Sequence, residues 1–477
     1  MEYIVRIESI ELENFKNVGK GTISILRGSS PVEKLKSLEK DNLISNVVGI
    51  YGQNGSGKTS VVESLYFLKN LLSGESLDDD CYNYIQQGKD KLKCNFNLFL
   101  IPKSSDKPKM SVNYSFEIVL LEDKQFEIQS ELLKYNAIYN DGTKSLGKII
   151  DYDRTRDNYF SSFMTADKLR VLKNNSKEDF EKLKAYLLVH KNPRASFIFN
   201  NENFDILINV LKNDIYISDT IKSLKKYAEG YLFVFRNEFS ARNMEGEILQ
   251  LSYSRETNKA RFLGELFYKY GDAPNAISED KFDAFERIIN NLNIVLKTII
   301  PNMIVTIKKE GEVVLPDGKT GIKVFLCSNR NGVEFPLKYE SDGIKKILSI
   351  LGIVIDMYNN PSVTLVVDEL DSGIFEYLLG ELVKIIDDSG SGQLLFTSHN
   401  LRPLELLNYK SLFFTTVNPK NRYTQLTSIK ANNNIRDVYY TNIQLGSIND
   451  DLYEMVDSFT IKNALYEAGL DAEEING

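Results

Sequence analysis

An α/β fold is what this sequence predicts: a phosphate-binding loop set between a strand and a helix, with an antiparallel β lobe, a helical insertion, and a parallel half that returns late in the chain. Three observations predict it. Residues Gly52, Gln53, Asn54, Gly55, Ser56, Gly57, Lys58 and Thr59 spell G-x-x-x-x-G-K-[ST]. The β-rich run 46–51 precedes them, and 59–72 follows with Val61, Val62, Leu65, Leu68, Leu71 and Leu72 at helical spacing, so the motif sits in strand–loop–helix context. Residues 363–367 and 393–397 read as two buried strands with a helix at 374–387 between them, the β-α-β return of a parallel sheet.

The other elements follow the same periodicities. Residues 3–26 alternate apolar and polar like one or two strands, and the polar stretch 28–43 reads as a loop or short helix. Three strand-like runs, 92–101, 110–121 and 126–139, are parted by turns rich in Pro, Lys and Asp, and predict an antiparallel sheet. From about 150 to 298 helical patterns dominate, at 179–188, 204–211 and 282–299, with no sustained heptad repeat. Strands return over 303–337, and 342–358 reads as one apolar helix. The expected units are therefore 1–149 (phosphate loop and β lobe), 150–298 (helical insertion), 299–440 (the completing half) and an acidic, helical tail, 441–477.

Composition narrows the class. Of 477 residues, 42% are hydrophobic and 26% charged, which suits a globular chain with a sizeable core. The net charge of −8 argues against a surface that coats nucleic acid and leaves a local basic groove open. Cys81, Cys94 and Cys327 form no C-x-x-C pair, so neither a disulfide framework nor a zinc site is suggested. No apolar run reaches the roughly 18 residues a membrane span needs, and the N-terminus lacks a secretion signal. The expectation is a cytoplasmic protein without a membrane partner.

The chemistry gathers at strand ends. Glycines in the loop let backbone N–H groups close on phosphates; Lys58 offers a charge to the β- and γ-phosphates, Thr59 a hydroxyl to Mg²⁺, and the helix start, with Ser60, a positive end. The strand at 363–367 delivers Asp368 and Glu369, the first to hold Mg²⁺ and the second to polarise an attacking water. Standing alone, such a pair is a strand running into a solvated turn; with the loop motif it reads as catalytic. His399, in Phe396-Thr397-Ser398-His399-Asn400, is placed to sense a γ-phosphate. His190 reads as a plain helix C-terminal residue. Ser341 is an N-cap for the helix that follows, beside Gly343.

Asn54 inside the loop, then Asp368-Glu369 and His399 in that order, together with the opening Ile10-Glu11-Leu12-Glu13-Asn14-Phe15-Lys16, resemble ABC-class ATPases of the SMC/RecF/OLD branch. The resemblance is nearest to stand-alone ATP-binding proteins of bacterial abortive-infection and anti-phage operons. It covers roughly 1–140 and 300–440. It implies ATP and Mg²⁺ as cofactors, and heads that dimerise so that the loop of one faces the serine-glycine signature of the other. Ser341 and Gly343 match that signature, with Asp342 in place of one glycine. Two features depart from the pattern: the Leu-Ser-Gly-Gly-Gln string of transporters is absent, and Phe375 stands where an aspartate often closes the loop after Asp368. For the family's Mg²⁺-side glutamine, Gln125 and Gln129 are both candidates.

Three functions fit these residues. The first is an ATPase that senses or scaffolds in phage defence and controls a separate effector such as a nuclease. The second is a DNA-repair type ATPase without a coiled coil, binding DNA across its dimer. The third is an adaptor that binds ATP and turns it over poorly, which the presence of Glu369 and His399 disfavours. The chain itself is expected to lack nuclease activity: after His399 only 78 residues remain (477 − 399).

Overall fold

The computed structural model describes residues 1–25, 46–139, 143–155, 169–170, 173–174, 176–189, 193–211, 215–236, 248–256, 261–269, 271–426, 434–445, 450–454 and 457–475. The segment expected as a loop or short helix at 28–43, and His190, lie outside them. The chain opens with β1 (Tyr3–Phe15) and β2 (Val18–Ser24), then β3 (Val47–Tyr51) and helix α1 (Lys58–Ser73). Four long strands follow: β4 (Lys91–Pro102), β5 (Lys109–Leu120), β6 (Phe126–Ile138) and β7 (Lys144–Asp153). Helices α2 (Lys177–Val189), α3 (Asn201–Leu211) and α4 (Ile215–Gly230) lead to β8 (Leu232–Phe235), β9 (Ile248–Glu256), β10 (Arg261–Lys269) and β11 (Asn275–Ser278). Then come α5 (Glu279–Ile299), β12 (Met303–Val314), β13 (Thr320–Arg330), β14 (Val333–Pro336) and α6 (Asp342–Asn359). The last part holds β15 (Thr364–Val367), α7 (Glu376–Ser389), β16 (Gln393–Thr397), α8 (Arg402–Leu406), β17 (Leu412–Thr415), β18 (Tyr423–Thr424), α9 (Ile435–Leu445) and α10 (Ser458–Ile475).

Among the described residues one sheet has the order β18-β17-β3-β16-β15-β8, parallel except for β18. Its strands are short runs such as Thr364-Leu365-Val366-Val367, buried throughout, as expected where both faces are covered. A second sheet, β2-β1-β4-β5-β6-β7, is antiparallel and is the lobe read at 92–139. In β1 the buried apolar side chains run Tyr3, Val5 and Ile7, then Ile10 and Leu12, with Phe15 at the strand's end. The switch from odd to even positions comes from a register shift between Ile7 and Ser9, since one extra residue moves every later side chain to the other face.

Polar bonds tie the lobe to the base of the parallel sheet. The Gln393 side chain accepts from Ile7 N–H (3.0 Å) and donates to Ile7 O (2.9 Å). The Arg6 guanidinium donates to Ser391 O (2.9 Å), Pro361 O (3.2 Å) and Asn46 Oδ1 (2.5 Å). These bonds lie at the amino ends of β3, β15 and β16, opposite the phosphate loop.

The stretch 150–298 differs from its reading as helical. It also carries β8 to β11, and β8 pairs with β15 inside the parallel sheet. Leu-Phe-Val-Phe at 232–235 is a four-residue apolar run, and so short a run has no period that separates a buried strand from a helix. A smaller core joins α5, β12, β13 and α6 through Phe285, Leu292, Leu296, Met303, Leu326 and Leu337. Helix α6 serves both cores: Leu348 and Leu351 face this one, while Ile347, Ile350, Ile353 and Met357 face the main one. No helix among the described residues is long and apolar enough to cross a membrane.

Candidate functional site

Five strands end at one edge of the parallel sheet, the edge where open α/β sheets bind ligands. The loop after β3 closes on itself. Gly57 caps α1 in the left-handed region (φ 99°), a conformation that favours glycine. Ser56 Oγ donates to Gln53 O (2.6 Å) and shares a hydrogen bond with Thr415 Oγ1 (2.6 Å). The Lys58 ammonium donates to Gly52 O (2.9 Å) and Gln53 O (3.0 Å). Burial pulls its pKa below the ordinary value, opposed by the charges of Asp368, Glu369 and Asp371. Asn54 and Gly55 are exposed at the loop's tip, and Ser60 is buried in the first turn of α1. Asn17, between β1 and β2, donates to Gly55 O, and Tyr423 donates from its hydroxyl to Gly57 O (2.8 Å), so the lobe and β18 brace the loop from the side.

Asp368 and Thr59, 309 positions apart in sequence, meet here. Asp368 Oδ1 accepts from Thr397 Oγ1 (2.5 Å) and Thr59 Oγ1 (3.4 Å). Its Oδ2 is buried with no hydrogen-bond partner. Burial pushes this carboxyl above the usual carboxylate range, against the bonds from Thr397 and Thr59. An orphaned carboxylate oxygen beside a threonine hydroxyl and a lysine fits a divalent cation held with a triphosphate. Thr59 and Asp368 would hold the ion, which would neutralise phosphate charge.

Glu369 adopts φ 46°, a region a non-glycine residue occupies at a cost, and such outliers cluster at functional sites. Its peptide is pinned at both ends. The N–H donates to Thr397 Oγ1 (2.7 Å), and the carbonyl accepts from Ser372 N–H (2.9 Å) and from the Lys346 ammonium of α6. Burial lowers the pKa of Lys346 below its ordinary value, opposed by the carboxylates of Asp371, Glu369 and Asp368. Asp371 Oδ2 accepts from the N–H groups of His399 (3.1 Å) and Asn400 (3.0 Å), which joins the turn after β15 to the loop after β16. His399 itself is exposed.

Ser341 caps α6, accepting from Ile344 N–H at 3.4 Å, and is exposed. The preceding Glu340 is buried and anchors the turn to β13: its carboxylate accepts from Ser328 Oγ (2.5 Å) and from Arg330 Nε (3.1 Å) and Nη2 (2.8 Å). Gly343 has a reason within its own chain. A Cβ there would collide with the Gly373 carbonyl, and one on Gly373 would lie 2.8 Å from Gly343 Cα. The helix start and the turn after Glu369 thus touch backbone to backbone.

The structure brings the loop, Thr59, Asp368 and Glu369 together, with His399 on the adjoining strand end. It does not bring in the two glutamines. Gln125 accepts from Arg194 (2.9 Å), and Gln129 lends its carbonyl to Arg154 N–H (2.9 Å). Sequence reading missed the parts played by Thr397, Asp371, Lys346 and Thr415. The first three sit inside segments already singled out, but which hydrogen bonds they make depends on strand adjacency. Arg236 was missed too. It follows Phe235, whose carbonyl accepts from Asp368 N–H (2.9 Å), and its guanidinium lies 3.7 Å over the Tyr66 ring. Among the described residues no group of three or more His, Cys, Asp or Glu side chains is arranged to hold a metal ion.

Sheet order and loop together define a P-loop ATPase head in which two distant halves of the chain share one nucleotide edge. The chain belongs to the family described as "AAA domain, putative AbiEii toxin, Type IV TA system", which it matches over residues 47–405, more than half its length. The family placement expected from the motifs is thereby borne out, as is the α/β head with an antiparallel lobe. The fold is similar to a crystal structure of an SMC head bound to the C-winged helix domain of ScpA, at 12% identity over 89% of this chain and 98% of that one, with TM-score 0.41. It is also similar to the SMC head domain from Thermotoga maritima (13%, 88% and 99%, 0.32) and to the recombination mediator RecF with ATP (12%, 83% and 93%, 0.31). No curated protein matches the sequence.

The orphaned Asp368 oxygen sets a pH test. With a folded pKa raised above its unfolded value, Asp368 contributes stability that is fully present below the unfolded value and lost as pH rises through the folded one. Asp368→Asn keeps an oxygen for Thr397 and Thr59 and removes the charge. It is expected to raise the Tm of the nucleotide-free protein at pH 7.5 by about 1–4 °C, with the gain shrinking toward pH 4, and to abolish the Tm increase produced by Mg·ATP. Scanning fluorimetry across pH reads this, and a gain that is absent, or equal at every pH, overturns it.

Proposed function

We propose that this chain is an Mg·ATP-hydrolysing head that dimerises to complete its active sites and controls a separate effector in a bacterial abortive-infection system. The observation that carries hydrolysis is the Asp368 carboxylate, buried between Thr59 and Thr397 with one oxygen unpartnered, next to a Glu369 whose backbone is fixed in a strained conformation. In this reading the loop amides and Lys58 bind the phosphates once Lys58 leaves the Gly52 and Gln53 carbonyls. Thr59 and Asp368 would hold Mg²⁺, which would neutralise phosphate charge. Glu369 orients the attacking water and takes its proton, and His399 contacts the γ-phosphate.

Dimerisation is supported by the surface around Ser341. Tyr339 (69% exposed), Phe375 (76%) and Tyr377 (58%) are large side chains left open to solvent. The Gly343–Gly373 contact joins the helix start that follows Tyr339 to the turn that precedes Phe375 and Tyr377, and in this reading the three form an apolar rim around the exposed N-cap. Phe375 at the position of the family's aspartate would then pack rather than pair charges across the dimer. The toxin and Type IV system in the family's description support a defence setting, with the effector chemistry on another polypeptide.

Glu369→Gln is expected to keep ATP binding and slow turnover by about 10²-fold or more, whereas Lys58→Ala loses tight binding. Equilibrium binding and steady-state phosphate release measure both, and unchanged turnover in Glu369→Gln reduces that residue to a structural acid. Ser341 is the better probe of the dimer than Gly343, because its side chain is exposed. Mixing inactive Lys58→Ala with inactive Ser341→Arg protein restores part of the activity if each site is built from two chains; no recovery after verified subunit exchange rejects composite, independently firing sites. The purified chain with Mg²⁺ or Mn²⁺, ATP and DNA or RNA is expected to leave the nucleic acid intact. Cleavage that copurifies with the chain and vanishes on mutating its own acids outside the ATP site would show that the effector is built in.

A further inference from the structure

The chain returns to the phosphate loop after α9. Asp450 accepts from Asn418 Nδ2 (2.8 Å) and Asn421 Nδ2 (2.6 Å), both in the turn between β17 and β18. These bonds hold its carboxyl below the usual carboxylate value. One residue on, the Asp451 carbonyl accepts from Val417 N–H (2.8 Å), just past the carboxyl end of β17. Leu452 is 1% exposed and belongs to the main core. Glu454 N–H then donates to Gln53 Oε1 at 3.0 Å. Gln53 is the second residue of the phosphate loop, and its carbonyl also receives Lys58 and Ser56.

We propose that residues 450–454 are a strap that positions the phosphate loop through Gln53, so that strap closure and nucleotide binding favour each other. The proposal rests on the nucleotide-binding reading of the loop. Its physical basis is preorganisation. The loop must hold its amides toward one point before phosphate arrives, and Lys58 must give up the Gly52 and Gln53 carbonyls when it does. The Gln53 side chain, held by the Glu454 N–H, keeps the loop backbone in place through that exchange and lowers the ordering cost of binding. Linkage makes the effect reciprocal: a strap that slows nucleotide release is itself stabilised by nucleotide. In sequence α10 begins four residues after Glu454; its residues 458–469 are exposed, and Phe459, Leu465 and Tyr466 present large apolar surfaces. The tail therefore lies within a few residues of the nucleotide loop.

The anchors are separable from the loop, which allows a test in the full chain. Asp450→Ala removes the acceptor for Asn418 and Asn421, and Leu452→Ser removes the buried side chain. Release of a fluorescent ATP analogue with Mg²⁺ is followed by stopped flow, and amide hydrogen exchange is followed over 450–454 with and without Mg·ATP. In the wild type, Mg·ATP is expected to slow exchange across the strap, and Lys58→Ala is expected to abolish that protection. Each strap variant is expected to exchange faster at 450–454 and to release the analogue about two- to tenfold faster, the range one net hydrogen bond supports. Unaltered exchange over β15 and β16 shows that the head stays folded; a variant that loses it is replaced by the other. A strap that opens by exchange while release stays at the wild-type rate overturns the proposal, as does strap exchange that ignores Mg·ATP in a wild type that binds it. A wild type that binds no analogue instead overturns the nucleotide reading itself.

Discussion

Asp368 has a carboxylate taken out of water with one oxygen satisfied and the other left bare. An unsatisfied buried polar atom costs about 1–3 kcal/mol, more when charged, and that cost falls on the ligand-free fold. The geometry leaves no room to relieve it locally. Thr397 and Thr59 are the hydroxyls at hand, and both turn to the same oxygen, Oδ1. The rest of the sheet supplies the compensation: β15 and its neighbours are buried on both faces, and Gln393 and Arg6 fasten the opposite edge to the lobe. A site kept short of one positive partner is stable only inside a scaffold that does not depend on it.

The same edge shows how events at the acid pair can reach the surface. Glu369 has both backbone groups engaged, one by Thr397 and the other by Lys346 and Ser372. Lys346 belongs to the helix that Ser341 caps, and that helix touches Gly373 through Gly343 with no side chain between. A displacement of the turn after β15 therefore acts on α6 directly. Because α6 packs on two cores at once, it responds as a rigid piece, and packed cores shift between discrete arrangements rather than deform smoothly. Tyr339 and Ser341 precede α6 at the end that meets this turn, and Phe375 follows the turn itself.

Much of this was legible in the sequence, for identifiable reasons. The loop from Gly52 to Thr59 announces itself because every position has a steric or charge requirement. Asp368 and Glu369 are readable because an apolar strand can only deliver its next residues at one edge. The β lobe reads correctly because its strands are long and alternate. What stayed hidden depends on adjacency between segments that share no pattern. Leu232 to Phe235 is too short to declare itself a strand, so its place beside β15 was lost within a stretch read as helical. Gly343 was expected as a signature glycine from the resemblance; its contact with Gly373 was not legible, since that needs the register of α6 against a loop thirty positions on. Gln125 and Gln129 were candidates by residue type alone; the Gln125 side chain accepts from Arg194, and Gln129 contributes only its carbonyl, to Arg154 N–H.

Sheet order also decides when the site can exist. β3, which carries the phosphate loop, pairs only with β16 and β17 among the described residues, and Asp368 arrives on β15 one strand farther. The lobe strands that follow β3 in the chain pair with β1 and with one another, not with β3. Strands β4 to β7 are thus a local run of hairpins, while the pairings that bring β3 beside β16 and β17 span more than 300 residues, the kind whose loop-closure entropy is met late in folding. The loop has its sequence from the start but acquires its walls, Thr415 on one side and the β16 end on the other, only when the last third of the chain docks. A phosphate cradle built this way is inseparable from the acid that completes it, because the same docking event delivers both.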